Sequence, residues 1–392
     1  MSISRIIFLV CIPYKVVFGQ VDTSKNKLVD VIDVWHLVFS KNYSIDTSKA
    51  KVKEPLLSIL PGFGYSQLTG FTVLVDGNIS FYTQPNTNIS VIKLTPEYAQ
   101  NKQFTPILTT SIWTKNNQYN FVSDWRYYNY KVIDFGLGGS TNPFIFNTYS
   151  YQFLRFHQLL SRSISSNFLL GIGYNFDKHF NIIQNESQLN TNVSNYEITK
   201  PTLSSGLVFN VLYDSRKNEN SPVSGGWYFN SSFIKNFKFL KSSSNYYSLY
   251  SDFRHYVSLP QGSNNILAFW NINWLTFGGQ SPYFDLPSTL WDTYDNAGRT
   301  FIQGRFRGKN MLYYEAEYRF DIIKNQLLGG AFFANIQSFS EPQNKHFSNP
   351  ILGYGASLRT KVNKKSKVYF VVSYGLGKGG ARGFFFNLGD VY

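Results

Sequence analysis

Few residues of this 392-residue chain could support acid–base, nucleophilic or metal chemistry. Its five histidines are His36, His157, His179, His255 and His346. None sits in a nucleophile motif, and none has the acidic or thiol spacing of a zinc site. His255 shares a face with Phe253 and Val257, opposite Asp252 and Arg254, which suits an interfacial position better than a catalytic one. Serine is too abundant to discriminate. No enzyme is therefore expected, and no metal or cofactor is implied. What the sequence does concentrate is opposite charge. In Gly298–Ile322, GRTFIQGRFRGKNMLYYEAEYRFDI, a loop bearing Arg299, Arg305 and Arg307 runs into a segment with two unlike faces. Its odd positions Glu315, Glu317, Arg319 and Asp321 are all charged. Its even positions Leu312, Tyr314, Ala316, Tyr318, Phe320 and Ile322 are apolar or aromatic.

A period of two is the signature of a strand, which sends alternate side chains to opposite faces. One face could pack on a soluble core or on lipid, and the composition favours lipid. Charged residues make up only 15% and aromatics reach 18%, whereas soluble domains carry about a quarter charged. No run of eighteen apolar residues follows the N-terminus, so membrane helices are not expected. Closed barrels are the other way to satisfy every backbone group in hydrocarbon. A one-residue slip of this strand would push its charges into lipid, at up to roughly 2–4 kcal/mol for an arginine at the midplane.

From Leu56 to Tyr392 similar segments recur, separated by Asn, Ser, Gly, Pro and Lys clusters. Examples are Leu203 to Tyr213, Ile266 to Trp274 (Ile266, Ala268, Trp270, Ile272 and Trp274 opposite Asn271 and Asn273) and Val368 to Leu376. Candidate strands start near residues 56, 68, 87, 104, 118, 143, 164, 199, 225, 245, 264, 310, 326, 348, 366 and 382. That is an all-β, transmembrane antiparallel barrel of about sixteen strands, an even count that puts both ends of the sheet in the periplasm. By parity Asn181–Ile198, Gly278–Lys309 and Gln337–Asn349 are extracellular. The turns near Pro260, Asn325 and Asn363, and the longer Asp214–Gly226 stretch, are periplasmic. Sixteen strands enclose a lumen wide enough for water or a folded-in loop.

The expected division is a signal peptide over residues 1–19, a periplasmic segment over 20–55 and an outer-membrane barrel over 56–392. Arg5, the apolar run IIFLVCIP and Gly19 carry the first assignment. It takes Cys11, the only cysteine, out of the mature chain. In residues 20–55, Leu28, Ile32, Trp35 and Phe39 fall on one helical face. A helix docked at the barrel mouth and a loosely held tail both fit. The formal charge of +14 is dispersed through turns and loops, so it argues for anionic lipid head groups or an anion-favouring lumen, not nucleic acid. In the final segment Phe384, Phe386, Leu388 and Tyr392 share one face, with Asn387 and Gly389 on the other.

Four stretches in order resemble the BamA/TamA-type surface-antigen barrels of the outer-membrane protein 85 superfamily. YDSRKNENSPVSGGWY, with Asp214, Arg216 and Gly226, is similar to that family's periplasmic turn, and GRTF, with Arg299, Thr300 and Phe301, to its lumen-loop motif. EAEYRF resembles the Glu-bearing strand after the loop, and GFFFNLGDVY the terminal strand read by outer-membrane assembly machinery. SILPGFGYSQLTGF is similar to the first hairpin of members lacking N-terminal periplasmic receptor domains. The resemblance implies that the long loop folds into the lumen, where Arg299 would meet Glu315 and Glu317, with Arg319 and Asn335 on the same wall. A solvated external loop is the alternative. Three departures stand out: Thr300 replaces the family's glycine, Asn335 its inward aspartate, and Ser373 an aspartate often found on the penultimate strand. The implied function, in the bacterial outer membrane, is to assist insertion or export of other outer-membrane or surface proteins. The implied partners are membrane lipids and other outer-membrane or periplasmic proteins. A passive channel and a structural or adhesive barrel remain as alternatives.

Overall fold

The computed structural model describes residues 28–31, 33, 34, 55–66, 70–188, 196–217, 221, 222, 225–293, 295–343, 346–364 and 367–392. The expected signal peptide, and Ile32, Trp35 and Phe39, lie outside them. The strands are β1 (Leu56–Ser66), β2 (Gly70–Phe81), β3 (Ser90–Thr95), β4 (Glu97–Ala99), β5 (Ile107–Trp113), β6 (Tyr119–Asp134), β7 (Asn147–Ser165), β8 (Phe168–Ser187) and β9 (Thr202–Asp214). They continue as β10 (Trp227–Asn236), β11 (Tyr246–Ser258), β12 (Ile266–Phe277), β13 (Asn310–Asp321), β14 (Leu328–Phe339), β15 (Ile351–Asn363), β16 (Val368–Gly377) and β17 (Ala381–Leu388). β3 and β4 are two halves of one strand. Gly77 opposes Leu94 and Thr72 opposes Ala99 in an unbroken register. Between the halves stands Pro96, which has no N–H to give the ladder but accepts Val75 N at 3.1 Å. Counted so, the described residues form the expected sixteen strands, each starting within about four residues of its predicted position.

Every ladder is antiparallel, each spanning strand pairing with the next from β1 round to β17. Among the described residues no ladder joins β17 back to β1. On β13 the odd residues Met311, Tyr313, Glu315, Glu317 and Arg319 are buried, whereas Tyr314 is half exposed on the outer face. β14 and β16 alternate in the same way. The outer wall is apolar, with Ile172, Leu207, Phe209, Phe332, Leu352 and Phe386 exposed as a lipid-facing surface requires.

Two expectations need correction. Asn181–Ser187 and Gln337–Phe339 are not loop, because β8 runs on to Ser187 and β14 to Phe339. On β12 the apolar row Ile266, Ala268, Trp270 and Ile272 faces the lumen and is buried, while Phe269 faces out. Asn271 and Asn273 share that outer face and bond each other, Asn273 Nδ2 to Asn271 Oδ1 at 2.9 Å. Periodicity gave the faces but not which one was wet. The lumen side of β12 is covered by the long loop and by residues 391 and 392, so apolar side chains are stable there.

At the short-turn end, Val29 and Val34 are buried against Leu327 of the β13–β14 turn, with Val31 packed beside them. Asp30 caps a single helical turn: its Oδ1 accepts Asp33 N at 2.8 Å, and Asp33 Oδ2 accepts Asp30 N at 3.1 Å. Asp33 pairs with Lys364 Nζ at 2.7 Å, tying the segment to a second turn. Leu28, placed on the packing face by the sequence, is instead 41% exposed.

The lipid-facing assignment has a direct test. Ala334, outward and mid-strand on β14, replaced by Arg should lower unfolding stability in vesicles by about 2–4 kcal/mol. A change under about 0.5 kcal/mol would contradict the assignment.

Candidate functional site

The charged face of β13 is met by the 278–309 loop, which enters the lumen between two parts of the wall. Arg299 Nη2 donates to Glu315 Oε1 at 2.7 Å and also to Glu317 Oε2, and the guanidinium lies 3.8 Å from the centroid of Phe333 on β14. Glu315 also accepts Tyr313 OH at 2.6 Å, and Asn335 Nδ2 at 3.3 Å. Asn335 therefore serves the glutamate as a donor instead of accepting from the arginine. Glu317 is shared, since Arg319 Nε donates to its Oε1 at 2.6 Å. All of these side chains are buried.

Thr300 does not itself take the left-handed backbone, which falls on Gly298 two positions earlier, with φ 93°. The loop reaches the wall over glycines. A Cβ on Gly375 would stand 2.6 Å from Thr300 Cγ2 and 2.9 Å from Arg299 O. On Gly353 it would meet Thr300 Oγ1 at 2.3 Å, and on Gly377 the Phe301 ring at 2.7 Å. Phe301 is buried against Phe306, ring centroids 5.3 Å apart. These glycines recur at period two in GYGASL and YGLG, a pattern in the sequence that would have marked where the loop lands.

The same loop is held on the opposite wall. Arg126 Nη2 of β6 donates to Thr293 O at 3.0 Å, and Tyr130 OH to Gln303 Oε1 at 2.6 Å. Tyr283 OH donates to Asp134 Oδ1 at 2.7 Å. Gly138 N to Arg307 O, at 2.7 Å, adds a backbone tie, and Arg305 Nη2 donates to Thr141 O at 2.7 Å. Tyr283, Phe284 and Leu286 pack on Tyr128, Tyr149, Tyr151 and Phe153 of β6 and β7. The loop thus bridges the lumen from β6 and β7 to β13–β16.

Residues 389–392 complete the network. Phe384, Phe386 and Leu388 face outward as expected, but Tyr392 does not join them. Gly389, with φ 101°, turns the chain into the lumen. There Tyr392 stacks on Trp270 with centroids 4.9 Å apart and donates from its hydroxyl to Ala268 O at 3.1 Å. Asp390, which parity would put on the same row as Leu388 and Tyr392, also turns inward. It accepts Arg359 Nη2 at 2.6 Å and Arg319 Nη1 at 3.4 Å. Arg319 Nη2 reaches Tyr392 O at 2.8 Å. Asn296 of the loop donates to Val391 O at 2.9 Å and accepts from Asn387 of β17 at 2.9 Å. Three guanidiniums, Arg299, Arg319 and Arg359, therefore face three carboxylates, Glu315, Glu317 and Asp390, in one buried network.

The periplasmic turn motif forms a second, smaller constellation. Arg216 grips Asp214 through Nε at 2.9 Å and Nη2 at 2.7 Å and lies 4.2 Å from the centroid of Tyr228. A Cβ on Gly226 would stand 3.1 Å from Arg216 Cα. Gly226 O accepts Tyr256 N at 3.3 Å and lies 3.2 Å from His255 Nδ1. His255 itself stacks on Trp227 on the outer face, centroids 3.6 Å apart. Among the described residues no His, Cys, Asp and Glu cluster could hold a metal ion.

No protein-family profile matches the sequence, and neither does any curated protein. Solved structures do match. BamA from Haemophilus ducreyi lacking POTRA domains 1-3 aligns at TM-score 0.55 and 14% identity, covering 85% of this chain and 68% of that one. CdiB from Acinetobacter baumannii aligns at TM-score 0.52 and 13% identity, covering 85% and 59%. The chain has the fold of a BamA-type outer-membrane barrel. Its apolar outer wall and this fold place it in the bacterial outer membrane.

In a barrel of this fold the loop lock should behave as a unit, because removing one member strands a buried charge. Arg299→Ala should cost roughly 3–5 kcal/mol, read as a lower heat-modification temperature. Glu317→Gln in the Arg299→Ala background should then cost clearly less than it does alone. Additive losses would contradict the pair.

Proposed function

We propose that the protein assists the insertion or export of other outer-membrane or surface proteins, as a non-catalytic barrel that opens between its first and last strands. The observation that carries this reading is the joint anchoring of the lumen loop and the end of the last strand. Asn296 of the loop bonds both Asn387 and residue 391, and Arg319 links Glu317, on which Arg299 sits, to Asp390 and Tyr392. Moving β17 relative to β1 would therefore disturb the loop, and releasing the loop would loosen β17. A strand of an incoming chain could pair with an edge exposed in this way.

A passive channel fits less well, since a pore lined for conduction does not need a loop pinned to both walls. The two readings separate experimentally. Depletion of the protein should lower the levels of other outer-membrane barrels, while the purified protein in planar bilayers should conduct little until residues 288–306 are deleted. Unchanged barrel levels together with steady conductance of the intact chain would favour the channel instead.

A further inference from the structure

The outer wall carries one feature that neither lipid tails nor the lumen network explains. Where β10 turns into β11, at the end of the barrel bearing the long loops, a groove of about 430 Å³ is lined by Lys235, Phe237, Lys238, Phe239, Asn245 and Tyr247 among others, with no carboxylate in its lining. Lys235 is on the outward row of β10 and opposes Leu207, which is 53% exposed on the lipid side. Its Nζ lies 4.9 Å from the centroid of Phe237 and 5.2 Å from that of Tyr247. Phe239 is 72% exposed beside the exposed Lys238. A lysine on a lipid-facing row is costly in hydrocarbon and favourable at the head-group level, where aromatic rings also settle.

The groove is also set in place. Lys238 N donates to Asn245 Oδ1 at 2.8 Å, and Lys241, left-handed at φ 72°, closes the turn on Lys238 O at 2.9 Å. Exposed apolar side chains adjoin it on the outer face: Leu207 opposes Lys235 and Phe277 opposes Tyr247 in the same row, and the opposed pair Phe209 and Phe233 lies one step further along the wall, with Phe233 and Tyr247 stacked at 5.6 Å. Cations at the rim with exposed apolar side chains beside and beyond them match an amphiphile with an anionic head. On β8 the exposed Lys178, 5.2 Å from the Phe180 centroid, extends the basic rim.

We propose that this groove binds the phosphate of an anionic lipid in the outer leaflet, with Lys235 and Lys238 holding the phosphate and the acyl chains lying on Leu207, Phe209, Phe233 and Phe277. The phosphate supplies strong acceptor oxygens to the two ammonium groups, and the aromatic faces shield those contacts from water. The site lies on the outside of the wall and does not depend on the assembly reading, so either can fail alone.

The test measures binding of diphosphorylated lipid A to the full chain in detergent, against its dephosphorylated form and against inorganic phosphate. The phosphorylated lipid should bind, and Lys235→Gln with Lys238→Gln should weaken it roughly ten- to thirtyfold. A control pair at the other end of the barrel, Lys115→Gln with Lys324→Gln, should leave affinity unchanged, and heat modification should report both variants folded. Equal affinity of the Lys235 and Lys238 variant, or of the dephosphorylated lipid, would overturn the proposal. Competition by inorganic phosphate at concentrations similar to the lipid would overturn the assignment to a lipid.

Discussion

A guanidinium cannot be buried in a protein interior without carboxylates to meet it, and Arg299 is buried. That requirement organises much of the molecule. It holds β13 in the register that turns Glu315 and Glu317 inward, since a slip of one residue would send both to lipid. It draws the loop across the lumen, which is possible only because Gly353, Gly375 and Gly377 leave room on β15 and β16. Arginine suits this role because its planar guanidinium brings Nη2 within reach of both carboxylates while its face lies on Phe333. The second guanidinium, Arg319, then passes the constraint to Asp390 and so to the end of β17.

Because the loop and residues 391 and 392 occupy the lumen, the barrel has an interior that is partly a protein core. Trp270, Ile272, Phe301, Phe306, Met311, Phe339 and Tyr392 pack there as they would in a soluble domain. The inner wall is therefore polar where the charge network runs and apolar beside it. This is why β12 departs from the simple rule that greasy residues of a membrane barrel point outward. It also gives the loop a second source of stability, since releasing it would expose aromatic surface as well as break ion pairs.

Much of this was legible in the sequence because alternation is local. EAEYRF shows its two faces within a few residues, and so do Val368–Leu376 and the sixteen strand starts. Contacts between segments far apart in the chain were not legible. Nothing around Asp390 indicates that Gly389 will turn it inward to Arg359, and the row Phe384, Phe386, Leu388 continued by parity pointed Tyr392 at lipid. Nor could β12 declare which of its faces was wet, because that depends on what fills the lumen opposite. The β6 contacts of the loop, Arg126 with Thr293 and Tyr130 with Gln303, join residues more than 160 positions apart and carry no local signal.

The central claim is that the loop and the last strand are held together inside the lumen. It is tested most directly by thiol proximity in cells, with Cys11 replaced by Ser and single cysteines placed at Asn296 and Asn387, whose amides lie 2.9 Å apart. A short bifunctional thiol reagent should link the pair efficiently, and Arg299→Ala should reduce the yield severalfold. Absence of the link in a folded barrel, with Asn296→Cys instead labelled freely by a membrane-impermeant reagent, would place the loop outside and contradict the account.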